Sequence, residues 1–466
     1  MSYIKNSNPC CKSELDLFST NPTNTSIISS SYSTHGPKSA FQKDQKSYEI
    51  EVAASDEYID LNDIYLMTEL QLTSSADFKS WDVSKSVGPV NNLAHSIFNK
   101  VQVSLFLGNK YVPIELDHSN YAYKAYFLDL LNYNDEGKKG WLQNALFVKD
   151  TDGQFDTTTI PITNGKDTVV SSRKSTKFTI DSNVIKTELV SLNDGFLKRR
   201  EIVTEGKGKI KLISKIHCDL FNSNKLLLNG IGMKFNFTRN EDDFCLMGAD
   251  KGTVVINKIH IMVRKCMIND EVKKAHQLAL KISPLKYPIK TTKMFIYAIN
   301  KETTGNDQEF GLGSVLPNKV IFGIVTDASY QGTSTTNPFK FLDHNLKEVK
   351  LVANTSTFNI SINEFDKDFS EGYHSICDTL NYYGNNHCPI SKDEYLPVLV
   401  LTADATIAAK RKALALGAKD FLTKPFDTIE AMLRVWNLLE TRVLYRHLKS
   451  LNAELKPAIH SNIATE

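Results

Sequence analysis

The sequence predicts a mainly β protein: two sandwiches of jelly-roll type in tandem, the second incomplete, with a small α/β segment at the C-terminal end. Three observations predict it. Over most of the chain apolar and polar residues alternate with period two, the pattern of strands that bury one face. Long polar loops and a few short helices separate those strands, as in sandwiches whose sheets pack through their inner faces. Near residue 395 the grammar changes abruptly, to a continuous apolar run, a helix, a short strand and another helix.

Residues 1–45 are rich in Ser, Thr, Asn and Pro and read as an extended arm with little core of its own. Strand grammar starts at Tyr48, where Ile50 and Val52 alternate with Glu49 and Glu51. It continues in Ile64, Leu66, Leu70 and Leu72, alternating with Tyr65, Met67, Glu69 and Gln71. Val90, Leu93, Ala94, Ile97 and Phe98 fall at helical spacing and predict a short amphipathic helix. Val101, Val103, Leu105 and Leu107 then lead into Gly108-Asn109, a two-residue turn, and the chain returns through Tyr111 and Val112. Tyr121 to Tyr133 is aromatic and helix-compatible, and Thr151 to Ser175 reads as a polar loop.

Strands resume at Lys209, with Ile210, Leu212, Ile216, Cys218 and Leu220 on one face and Lys211, Lys215, His217 and Asp219 on the other. Ile231 to Phe237 and Val255 to Val263 continue the pattern, the latter with an irregularity near Asn257. Asn269 is placed to cap a helix, with Asp270 and Glu271 in its first turn and Val272, Ala275, Ala279 and Ile282 as its buried stripe. Further strands fit Met294–Ile299, Lys319–Val325, Val349–Val352 and Thr357–Ile362. About 350 residues of such pattern exceed one sandwich, so two are expected. Beyond the seam, Val398 to Leu401 suits a parallel strand buried on both faces. Asp404 can cap the following helix, whose stripe is Ala405, Ala409, Ala413 and Leu416 and which Gly417 ends. Lys419 to Leu422 is a second strand, and Asp427 and Glu430 cap the last helix.

The chain has 466 residues, 41% hydrophobic and 23% charged, enough for two or three ordered domains. Its net charge of +2 gives no global field for nucleic acid or anionic lipid. No apolar run reaches membrane-spanning length, and the N-terminal residues carry no apolar signal core, so neither a membrane partner nor secretion is expected. The 7 cysteines, odd in number and scattered, fit the reduced thiols of an intracellular protein.

His374, Cys377, His387 and Cys388 gather two zinc-ligand types in one segment, without a spacing that defines a site, and read first as loop side chains. Lys198-Arg199-Arg200 and Lys207 form a basic run that reads as a solvated loop, or as a face toward a packaged genome. Gly311-x-Gly313 lacks the strand–turn–helix context of a nucleotide site. No nucleophile–base arrangement is decipherable, so the expectation is a protein that is not an enzyme.

Several segments carry a resemblance beyond pattern. CKSELDLFSTNPTNTSI, YIDLNDIYLMTELQLT, VGPVNNLAHSIFNKVQVSLFLGNKYV, NYAYKAYFLDLLNYNDEGKKGWLQNALFVKDT and LPNKVIFGIVTDASYQGTSTTNPFKF occur in this order. Over about residues 10–390 the chain resembles the capsid proteins of Polinton/Maverick elements and adintoviruses. The resemblance implies a double jelly-roll major capsid protein that assembles with itself as trimers in an icosahedral shell, in or around a virus-like particle. The family continues past ISKDEY with further strands of the second jelly roll, which this sequence replaces.

The residues after the seam resemble the C-terminal half of a bacterial response-regulator receiver domain, of flavodoxin-like order. The resemblance implies that Thr402 is the hydroxyl that senses phosphorylation, that Lys424 contacts the phosphate, and that the bond before Pro425 is cis. Phosphoryl transfer also needs a carboxylate nucleophile and acidic Mg²⁺ ligands. Those belong to the family's first strands, which the sequence lacks, so Mg²⁺ would be a cofactor only of a complete receiver. Asp366 and Asp368, with Glu371 before Gly372-Tyr373, are the candidate phospho-acceptors upstream, and read first as solvated loop carboxylates.

The expected organisation is an arm (1–45), a first jelly-roll-like domain (46–205), a second, incomplete one (206–392), a partial receiver (395–455) and a disordered tail (456–466). The expected function is structural: a capsid-like protein of a virus-like mobile element that carries an inactive receiver remnant. Two alternatives stay open. One is a phosphorelay response regulator served by a histidine kinase. The other is a gene-model fusion with no single function.

Overall fold

Alternation of apolar residues makes most of the strands. The computed structural model describes residues 25–39, 45–74, 77, 79–115, 120–158, 160–161, 167–168, 174–181, 184–301, 305–309, 317, 319–342, 344, 346–353, 356–361, 370–379 and 399–402. Its first strands are β1 (Ile27–His35), β2 (Ser47–Val52), β3 (Tyr58–Thr73), β4 (Val87–Pro89), β5 (Phe98–Leu107) and β6 (Lys110–Glu115). The pairs β7 (Ile160–Pro161) with β8 (Asp167–Thr168) and β9 (Lys174–Asp181) with β10 (Val184–Ser191) follow. Then come β11 (Lys209–Lys215), β12 (Leu226–Leu227), β13 (Gly232–Arg239), β14 (Leu246–Gly248) and β15 (Thr253–Ile268). The last strands are β16 (Lys319–Phe322), β17 (Glu348–Ala353), β18 (Ser356–Ser361) and β19 (Leu399–Thr402). The helices are α1 (Leu93–Ser96), α2 (Tyr121–Asn132), α3 (Asp135–Lys139), α4 (Asp194–Glu205), α5 (Asp242–Cys245), α6 (Asp270–Leu280), α7 (Asp327–Gln331) and α8 (Ser370–Thr379).

Two antiparallel sheets dominate. One has the order β1-β15-β3-β11, with β12 beside β3; the other is β2-β13-β5-β6. Both feed one core. Leu61, Ile64, Leu66 and Leu70 of β3 and Ile259, Ile261 and Val263 of β15 belong to the same buried cluster as Ile50, Val52, Val101, Val103, Phe235 and Phe237 of the other sheet. The result is a sandwich-like, mixed α/β fold dominated by antiparallel sheets. In β3 the buried positions switch phase, from Ile59 and Leu61 to Ile64 and Leu66, across Asn62-Asp63. The partner strand shifts register at the same place, between Val263 and Lys265. A bulge of this kind lets one long strand keep its apolar side chains inward through a bend. The irregularity expected near Asn257 is a second register shift, between Ile256 and Lys258.

The structure departs from the sequence reading in several places. The expected division between residues 205 and 206 runs through both sheets: β11 and β15 pair with β3, and β13 pairs with β2 and β5. Strand exchange of this long range leaves no local mark in the sequence. The helix expected over 90–98 is one turn, α1. Residues 86–98 are all buried, so no polar face exists to make a surface helix, and Phe98 already enters the ladder with β13. The alternation through Ile216 and Leu220 leaves the strand after Lys215 and forms a 3₁₀ turn over Asp219–Asn222. The expected loop 151–175 contains β7 and β8 and the start of β9. Asn269 caps α6 as expected, accepting from the Glu271 N–H at 2.9 Å, but the helix buries none of its residues, and Ile282 beyond it is 89% exposed. No strand forms over 294–299.

The later strands form two-stranded pairs, β16 with β19 and β17 with β18. Among the described residues they do not assemble a second sandwich. They approach the first part through an aromatic cluster, in which Phe339, Phe341 and Ile376 pack with Tyr126 of α2 and Phe196 of α4. Tyr126 and Phe339 stack with ring centroids 4.2 Å apart. The run expected to be a parallel strand pairs antiparallel instead, Lys319 opposite Thr402 and Phe322 opposite Leu399. An apolar strand without its own sheet takes whatever free edge lies within reach.

Candidate functional site

A polar network fixes the ground on which the site stands. Asn193 caps α4, its side-chain oxygen accepting from the Phe196 N–H at 3.2 Å. Its amide donates to Asp150 at 2.8 Å and to the Phe155 carbonyl at 2.9 Å. Farther along α4, Arg199 is fully buried, and its guanidinium donates to Asp150 at 2.6 Å, to the Pro89 carbonyl at 3.0 Å and to the Val148 carbonyl at 2.5 Å. Asn337 donates to the other Asp150 oxygen at 3.0 Å. The basic run expected to be a solvated loop is therefore helical, and its central arginine points into the core. A charge this deep is tolerated because its donors meet carbonyls and a carboxylate.

Against this frame lies the candidate site: His95 of α1, Asp129 of α2 and His217, two residues after β11. Asn92, which precedes α1, sits in the left-handed region at φ +57 and donates from its amide to Asp129 at 2.7 Å. Asn120, before α2, is also left-handed, at φ +83. Asparagine tolerates this conformation better than most residues, and here it turns the chain sharply into each helix. Tyr121, at the start of α2, presents its hydroxyl to His95 Nδ1 at 3.0 Å and accepts from the His217 backbone N–H at 3.2 Å. The free Nε2 of His95 lies 3.9 Å from Asp129 Oδ2, and His217 Nε2 lies 3.0 Å from Asp129 Oδ1. The two imidazole rings are 4.8 Å apart.

Burial dominates the electrostatics. It holds His95 far below the ordinary imidazole range, at about 3; His217 adds to the effect and Asp129 opposes it. For Asp129, burial alone would raise the pKa, but His217, His95 and the Asn92 amide favour the carboxylate and leave it below its ordinary value. His95 and Asp129 are almost completely enclosed, whereas His217 is partly exposed. A small pocket lined by Trp141, Leu142, Ile213, Ser214 and Lys215 reaches the three groups from outside. Two imidazole nitrogens and one carboxylate oxygen, all within 4.8 Å of one another, are donors able to hold a divalent metal.

None of the three was singled out in the sequence as a ligand. They sit on separate elements with no local motif, and the sequence alternation places His217 only on the polar side of a strand. The residues that were singled out fall elsewhere. Cys377 is buried on α8 and His374 is exposed on the same helix, while His387 and Cys388 lie outside the described residues. Thr402 ends β19; its side chain, with Lys424, Pro425, Asp366 and Asp368, lies outside the described residues.

No family model matches the chain. It is 22% identical over 378 residues to an uncharacterized protein of Caenorhabditis elegans, F54H12.2, covering 78% of this chain and 80% of that protein. It is 41% identical over 58 residues to the regulatory protein VanRc of Enterococcus gallinarum, which is 12% of this chain and 25% of that protein. Among solved structures it is similar to a chain of the Sputnik virophage, determined by cryo-EM, at TM-score 0.32 and 10% identity, covering 57% of this chain and 53% of that one. The mavirus major capsid protein follows at TM-score 0.27 and 8% identity, covering 69% and 56%. The chain thus spans about half the length of each viral chain and a quarter of VanRc. The likeness to viral capsid-fold proteins is distant, and a short region matches a regulatory protein. Among the described residues no helix is long and apolar enough to cross a membrane.

Proposed function

We propose that this is a structural, capsid-like protein that assembles with copies of itself, as trimers, through its β sandwich. One observation supports the reading: the described segments that resemble mobile-element capsid proteins supply the central strand, a hairpin and helices of the two main buried clusters. YIDLNDIYLMTELQLT is the whole of β3, and VGPVNNLAHSIFNKVQVSLFLGNKYV runs from β4 through α1 and β5 into β6. The segment beginning NYAYKAYF supplies α2 and α3, and the one beginning LPNKVIFG contributes β16 and Phe339, which packs on α2. Surface for assembly is available on β1 and β6, where Ile28, Tyr32, Tyr111 and Val112 are more than half exposed. The test is light scattering and cryo-EM of the purified full chain across a concentration series. Trimers or larger closed particles are expected; a chain that stays monomeric at every concentration and ionic strength removes the reading.

A second reading, a phosphorelay module, is favoured by the 41% identity to VanRc over 58 residues. It requires an acidic acceptor together with Thr402 and Lys424. Incubation with Mg²⁺ and a small acyl-phosphate donor would leave an acid-stable, base-labile acyl phosphate on the chain, and no label would end it.

A further inference from the structure

We propose that His95, Asp129 and His217 form a zinc-binding site that fastens α1, α2 and the turn after β11 to one another. Zinc bonds of about 2 Å at tetrahedral angles set neighbouring donor atoms roughly 3.3 Å apart. Here His217 Nε2 lies 3.0 Å from Asp129 Oδ1 and His95 Nε2 lies 3.9 Å from Oδ2, and one ligand atom from each of the three residues lies within 4.8 Å of the others, so small side-chain shifts would bring the set to that spacing. The outer partners are also in place. The Tyr121 hydroxyl holds Nδ1 of His95 and so turns Nε2 toward the carboxylate, and the Asn92 amide donates to Asp129 Oδ2 and fixes the carboxylate. Such partners orient ligands and tune their basicity.

All three groups line the pocket, so a fourth ligand of a bound metal would come from it. There the hydroxyl of Ser214, on β11 and only 5% exposed, has no hydrogen-bond partner. A second orphan, the side-chain oxygen of Asn92, is completely buried within the same cluster. Unpaired polar atoms at this depth are costly and uncommon. A zinc-bound water in the pocket would supply the hydroxyl with its missing partner. Two histidines and a carboxylate, with a position left for water, suit zinc better than the all-oxygen preference of Mg²⁺ or Ca²⁺. Metal at this point cross-links three elements that are far apart in sequence, and its binding energy becomes folding energy.

The test uses the full chain, stripped with a chelator and titrated with Zn²⁺ by calorimetry, then with Co²⁺ as a spectroscopic probe. A single equivalent of Zn²⁺ per chain is expected, with a rise in melting temperature on loading. His217→Gln, chosen because His217 is partly exposed and its loss least endangers the fold, should weaken binding by more than the roughly 10–100-fold that losing an outer partner costs. Cys377→Ser should leave binding unchanged. Because a variant could be lost to misfolding, the wild-type Co²⁺ spectrum is a second reading: four-coordinate visible bands without the near-ultraviolet band of sulfur ligation. The absence of saturable binding, wild-type affinity in a folded His217→Gln protein, or a sulfur charge-transfer band would each overturn the assignment.

Discussion

At the scale of single residues, the buried Asp150–Arg199 pair and the histidine cluster make opposite kinds of prediction. Asp150 accepts from Arg199, Asn193 and Asn337 at once, so it ties α4 and the later half of the chain to the first sandwich. Asp150→Ala leaves a guanidinium buried against carbonyls alone and should cost about 3–5 kcal/mol. The double replacement of Asp150 and Arg199 by leucine should cost less than that single change, because no charge is then stranded. Denaturant unfolding of both variants checks the order, and a mild Asp150→Ala would show that the pair is not stabilising in this way. The cluster predicts a pH dependence. In the folded, metal-free chain His95 takes up a proton only at about 3, whereas an unfolded chain does so near the ordinary histidine value of 6.5. The unfolded state therefore binds more protons between these values, and stability falls as pH drops through that window. Asp129, held below its ordinary value of 3.8, adds a loss of the same sign at the acid end. Unfolding midpoints of His95→Gln from pH 7 to 4 should slope less than those of the wild type; parallel curves would remove His95 as the cause.

At the scale of elements, α4 is seated by a residue without a side chain. A Cβ on Gly195 would lie 2.1 Å from the Lys149 carbonyl oxygen, a backbone atom that cannot swing aside. Gly195→Ala should therefore lift the helix and destabilise the fold by about 1–3 kcal/mol, opposite in sign to what helix propensity alone predicts for the exchange. A circular-dichroism melt indistinguishable from wild type would contradict the close approach. The strands illustrate what the sequence shows and what it hides. β2, β3, β13 and β15 were legible because period-two burial is written into consecutive residues, and the β5–β6 hairpin because Gly108 takes φ +57 at its turn. The Asn269 cap was legible for the same local reason. Arg199 was not, because three adjacent basic residues carry no sign of which one turns inward. Nor was the His95–Asp129–His217 cluster, whose members meet only after a one-turn helix, a long helix and a strand end have been packed together. α6 failed in the reverse sense: its apolar stripe is real, but only Val272 at its start packs on the cluster of Tyr58, Cys266 and Ile268, and the helix buries none of its residues.

At the scale of the whole molecule, the question is whether the residues beyond the seam belong to the same cooperative body. The backbone answers through β19, which pairs with β16, Ile321 opposite Val400. Nearby, Phe341 packs on Phe127 of α2 with ring centroids 5.0 Å apart, and the Leu342 N–H donates to the Ile324 carbonyl at 2.9 Å. The chain therefore runs continuously from the C-terminal segment, through β16, to the aromatic cluster on α2. Val400→Pro removes one donor from this two-stranded ladder and leaves the β16 edge open. If the segment is integral, amide exchange at Lys319–Phe322 should quicken markedly, while β3 and β15 in the centre of the first sheet keep their protection. The freed edge should also make the variant more prone to associate than the wild type in the same light-scattering series. Unchanged exchange over 319–322 would mean that β19 contributes nothing to holding β16. The region beyond the seam would then be a passenger, and the assembling unit would end with the strands before it.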